Sequence, residues 1–187
     1  MTLTDLLVPT YRQMLQMLRG LLEKAQQQLP DQAESLLTAR LADDMLPLAA
    51  QVRFAAFQAQ EAIFRLRGQR IPEWLDAIAA EGRHAGDSPG TIADATARLD
   101  DALSMLAEVS AEALDGAADL AISIALPGGL TFDMTGVRYA RDWALPQFYF
   151  HVVTAYAILR HQDVAIGKAE YVPYMFAYRR PDAAVAG

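Results

Sequence analysis

Apolar residues recur at three- and four-residue steps from the start of the chain. Leu7, Tyr11, Met14, Leu18, Leu21, Ala25 and Leu29 share one arc of a helical wheel, which predicts an amphipathic first helix stopped by Pro30. Asp31 and Glu34 have capping-box spacing, so a second helix is expected to start there and run to about Arg67. Residues 68–90 form a polar connection containing Gly and Pro, with a short helix in IPEWLDAIAAEG opened by Pro72, placed to act as a lid. Thr91 and Asp94 mark the next start, and Ile92, Ala95, Leu99, Ala102, Leu106, Val109 and Ala113 give a third long helix its apolar side.

The period then falls to two. Leu120, Ile122, Ile124 and Leu126 alternate with small residues, and Leu130, Phe132 and Met134 resume the pattern after PGG, which predicts a β-hairpin over 119–135. Gly128 and Gly129 supply the positive φ angles of a tight two-residue turn. A fourth helical region follows from about Val137 to Arg160, with Pro146 either kinking it or opening a new helix, and 172–187 is a C-terminal tail. The expected fold is mainly α: one domain over 1–187, with four long helices and a small hairpin packed on the bundle's end before the last helix.

Helix two has two apolar arcs. Leu41, Met45, Leu48, Val52, Ala59, Ile63 and Leu66 form one, and Leu46, Ala50, Phe54, Phe57 and Phe64 the other. A surface helix needs one stripe, so this helix is buried on both sides, either centrally or against another subunit, and the aromatic arc is assigned to a homodimer contact. Arg40 and Asp44, at i,i+4, are expected to pair and steady it.

Charge and composition narrow the partners. The chain has 187 residues and a net charge of -7, which disfavours nucleic acid. It has no cysteine, so neither disulfide nor thiolate chemistry is available, which fits a reducing compartment. The N-terminal residues lack a secretory pattern and no stretch is long enough to span a bilayer, so a cytoplasmic location without membrane contact is expected.

The candidate chemistry centres on FYFHVVTAYAILRH, residues 148–161. His151 and His161 are ten residues apart, roughly 15 Å along a helix, and cannot share a metal. Gln147 is the one strong polar neighbour of His151 on its own helix, so a neutral histidine bonded to a carbonyl or to a polar group on helix two outweighs a metal ligand. His84 is read as solvated. No nucleophile elbow, P-loop or dinucleotide fingerprint occurs, and Asp43 with Asp44 and Asp100 with Asp101 are adjacent pairs that a helix points apart. No catalytic residue or cofactor is assigned.

ARLADDMLPLAAQVRFAA with FRLRG, and LPQFYFHVVTAYAILRHQDVAIGKAEY, resemble the bacterial family catalogued as domain of unknown function nineteen ninety-three, of the DinB-like helical bundles, over about Leu6 to Tyr171. The resemblance implies an up-down four-helix bundle, often dimeric, in a superfamily of metalloenzymes. There a metal is held by a His on the second helix and a His pair at HxxxH spacing on a later one. Here helix two has no histidine, and Gln147 and Ala155 stand four residues either side of His151, so that triad is missing.

The first functional expectation is therefore a small-ligand-binding or dimeric interaction protein. Gln51, Gln58, Gln147, His151 and Tyr156 would be the polar points of an apolar cavity. The alternative is a metal-dependent hydrolase or transferase of the DinB-like kind, with His151 as one ligand.

Overall fold

The computed structural model describes residues 1–126 and 128–180; Pro127 of the hairpin turn and 181–187 of the expected tail lie outside the described residues. Helix α1 spans Leu3–Gln28. Thr2 caps it: the Asp5 amide donates to Thr2 Oγ1 at 3.1 Å and the Thr2 amide donates to the Asp5 carboxylate at 3.1 Å.

Helix α2 covers Leu48–Leu66 and starts well after Asp31. Glu34–Thr38 is a single 3-10 turn, 39–47 is irregular, and Pro47 is the N-cap. A residue before proline is pushed out of the helical region, so the apolar periodicity of helix two could not continue back through Leu46. Leu41 and Leu46 are accordingly 41% and 39% exposed rather than part of an arc. Arg40 donates to the Asp43 carbonyl at 3.4 Å in place of pairing with Asp44. Glu34 caps a different helix, accepting from the Ile92 amide at 2.9 Å.

Helix α3 spans Glu73–His84 behind Pro72, and α4 spans Ile92–Ala107 behind the expected Thr91–Asp94 capping box. Helix α3 buries Leu75, Ile78, Ala79 and Gly82 and packs along α2. A Cβ at Gly82 would stand 2.9 Å from the Phe54 ring, so glycine permits the close approach. Trp74 meets Phe64 edge-on at 6.0 Å. Of the second arc of α2, assigned from sequence to a subunit contact, Phe54 packs on Gly82 and Phe64 on Trp74 of α3, while Leu46 lies exposed ahead of the helix.

Strands β1 (Ala121–Ala125) and β2 (Thr131–Thr135) pair antiparallel, Ile122 opposite Met134 and Ile124 opposite Phe132. Ile122 and Ile124 press on the core. The Leu126 amide donates to the Leu130 carbonyl at 2.8 Å, and Gly128 and Gly129 have the expected positive φ, 92° and 86°.

One rod follows: α5 (Gly136–Arg138), a π-helical turn at Tyr139–Ala144, and α6 (Leu145–His161) with Pro146 in its first turn. Proline brings no amide hydrogen and crowds the carbonyl four residues back, so the wide turn ahead of Pro146 carries the helix past it. A Cβ at Gly136 would overlap the Ala117 carbonyl oxygen, which fixes glycine at this junction. Helix α7 (Lys168–Tyr171) and a 3-10 helix at Pro173–Tyr178 end the described chain.

Helices α1, α2, α4 and α6 form a four-helix bundle in which α4 and α6 each contact both α1 and α2. Thr4 bonds Asp115 and Arg19 bonds Asp100, so α1 and α4 run antiparallel. Tyr11 meets Phe148 and Lys24 bonds Glu170, so α1 and α6 run parallel. Helix α3 returns the chain along the outside of α2. One apolar core runs through the bundle, with Tyr11, Tyr139 and Phe148 among its largest buried side chains.

Candidate functional site

Helices α2 and α6 run antiparallel, which brings Gln51 opposite His151. The imidazole Nδ1 lies 2.8 Å from Gln51 Oε1, while Gln51 Nε2 donates to the Leu46 carbonyl at 3.0 Å. With the amide nitrogen engaged behind, only the amide oxygen faces the ring. The proton therefore sits on Nδ1, and Nε2 keeps its lone pair. Phe54 stacks on the ring at 5.1 Å and 22°, and Phe150 meets it edge-on at 5.4 Å. Burial among these groups lowers the His151 pKa to about 4, so the ring is neutral at pH 7. The bond from His151 to a polar group of helix two, expected from sequence, is present.

The other candidates are dispersed. Gln58, two turns beyond Gln51, is 9% exposed, and its Oε1 has no partner among the described residues. Gln147 is half-buried one turn before His151. Tyr156, five residues after His151, is turned about 140° from it. It lines a groove of about 250 Å³ with Val153, Lys168 and Tyr171, its ring edge-on to Tyr171 at 5.5 Å.

Three polar features escaped sequence reading. Arg65 donates from Nε and Nη2 to Oε1 of the buried Glu61, at 2.8 and 2.7 Å. Burial raises the Glu61 pKa while Arg65 pulls it down. The hydroxyls of Tyr11 and Tyr139 are buried without partners among the described residues, and burial followed by the Glu61 charge raises both pKa values. Arg53 is 4% exposed and donates to the carbonyls of Ala49 at 3.0 Å and Pro89 at 2.9 Å, stapling the α3–α4 loop to α2. The available signal was charge on a helix apolar on two sides: a residue such as Arg53 in that setting is buried and must find acceptors.

The family model for the domain of unknown function (DUF1993) matches residues 3–172. The chain belongs to this family. A solved relative, the crystal structure of a DinB family member protein from Shewanella denitrificans, is 32% identical, covers 96% of each chain and superposes with a TM-score of 0.76. The resemblance carried by the helix-two and α6 segments and the DinB-like bundle fold are both shown by these matches. No curated protein matches the chain in sequence. Among the described residues no helix is long and apolar enough to cross a membrane.

In this DUF1993 chain the side chains around His151 do not fit the metal that the superfamily resemblance implies. Its neighbours are two phenyl rings and an amide whose oxygen already accepts from the imidazole. No three His, Cys, Asp or Glu gather anywhere among the described residues. His84 is tied to the Ala80 carbonyl at 2.8 Å, and His161 ends α6. A lone imidazole with a tautomer-fixing amide can accept a hydrogen bond at Nε2, but it lacks the partners of a coordination sphere.

Proposed function

We propose that this protein acts by binding and not by metal chemistry, as a cytoplasmic homodimer paired through α6. The observation that supports the pairing is the solvent face of that helix. Tyr149, Phe150 and Val153 are 36%, 56% and 46% exposed, and Pro146, Ala157 and Arg160 extend the same stripe at helical spacing. An outward helix face ordinarily carries charge, whereas 145–159 has none. The whole of α6 lacks Asp and Glu in a chain of net charge -7, so two copies meet there without acidic repulsion.

The stripe is self-complementary. An antiparallel pairing about Val153 sets Tyr149 over the partner's Ala157, a large side chain against a small one. The proposed contact is on α6 and not on the aromatic arc of α2, because Phe54 and Phe64 of that arc pack against α3. The lack of cysteine supports the cytoplasmic assignment. Light scattering at micromolar concentration should give twice the mass of 20.5 kDa, and Phe150→Asp with Val153→Asp should give the monomer with unchanged helix content. A monomeric parent protein would overturn the proposal.

A further inference from the structure

We infer that the groove between α6 and α7 binds a small amphiphilic carboxylate, an apolar or aromatic body carrying one acid group. Val153, Tyr156 and Tyr171 wall a space of about 250 Å³, enough for a fragment-sized apolar body, and Lys168 stands at its edge. Tyr156 and Tyr171 meet edge-on at 5.5 Å, leaving ring surface to pack against a ligand.

Charge decides the ligand's head group. The ammonium of Lys168 has no acidic partner among the described residues. The nearest acid in sequence, Glu170, is held elsewhere: it accepts from Lys24 at 3.0 Å and from the Gly167 amide at 2.8 Å. The surrounding segment reverses the balance of the whole chain. Over residues 145–180 the bases Arg160, Lys168, Arg179 and Arg180 stand against only Asp163 and Glu170, in a protein of net charge -7. An apolar groove with an uncompensated cation at its lip favours an anion with a greasy tail over a neutral or cationic analogue.

The test uses three probes with one phenylbutyl body: 4-phenylbutyrate, 4-phenylbutanol and 4-phenylbutylamine, titrated into the full chain and followed by amide NMR shifts at low ionic strength. Val153 walls the groove and also stands at the centre of the proposed α6 pairing, so the titration is repeated on the Phe150→Asp monomer, where the same preference for the carboxylate is expected whether or not the parent is a dimer. The carboxylate should bind about 3- to 5-fold more tightly than the alcohol, the advantage of one exposed ion pair, with shifts at Tyr156, Lys168 and Tyr171. Lys168→Gln should abolish that advantage while leaving the alcohol's affinity and the oligomeric state unchanged. Tyr156→Ala should weaken all three probes. Equal affinity for carboxylate and alcohol, tightest binding of the amine, an advantage that survives in Lys168→Gln, or no shifts at these residues would each overturn the inference.

Discussion

Gln51 holds His151 in one tautomer, because its amide nitrogen is bonded to Leu46 and only its oxygen is left for the ring. The bond crosses from α2 to α6, and the Leu46 carbonyl just ahead of α2 anchors the Gln51 amide near the helix's N-terminal end.

The His151 ring should titrate near pH 4, against about 6.5 in the unfolded chain. Between these values the unfolded chain binds more protons, so stability falls as pH drops through 6.5 toward 4, and the loss is complete below 4. The ring is half-buried and partly screened, so the loss should be on the order of 1–2 kcal/mol. Histidine NMR titration measures the pKa. Urea denaturation at pH 7 and pH 5 measures the loss, which should shrink in His151→Phe.

Two buried phenols without partners among the described residues predict an unusual outcome. Tyr11→Phe and Tyr139→Phe remove hydroxyls that gain nothing from burial, so each variant should match the parent or exceed it by up to about 1 kcal/mol in denaturant. A loss greater than about 1 kcal/mol in either would show that its hydroxyl is satisfied in solution, by water or by a bound molecule.

Gly136→Ala forces a methyl into the Ala117 carbonyl, where neither backbone can yield, and should cost about 2–3 kcal/mol by thermal or chemical denaturation. Gly82→Ala meets only the edge of the Phe54 ring, which can turn, and should cost about 1 kcal/mol.

Arg53→Met keeps the volume of the buried stem and removes the bond to the Pro89 carbonyl in the loop, the bond to Ala49 within α2 and the ion pair with Glu81 at 3.6 Å. Stability should fall by about 1–3 kcal/mol, and amides of residues 85–91 should exchange faster with solvent while those of α1 hold their protection.

The bundle was legible because its helices obey local rules: three- and four-residue periodicity, Thr91 with Asp94, and glycines at the hairpin turn. The start of α2 was not, because residues 39–47 keep an apolar content that mimics a helix while Pro47 forbids one. The aromatic arc of α2 was visible as a buried face, but its cover, α3, depends on Gly82 admitting Phe54, a contact between residues 28 positions apart. At the candidate site, the polar types on facing helices gave the bond of His151. The separation of Tyr156 follows from the helical angle of five residues, whereas its groove is made by α7, which no local pattern announces.

The wide turn at Tyr139–Ala144 sets the rotational phase of everything after it. Removing one residue there would let the rod wind as ordinary α-helix and swing α6 by about 100°. His151 would be carried away from Gln51, and a different row of side chains would face solvent. A single-residue insertion in this turn thus decides which side of the last helix looks outward.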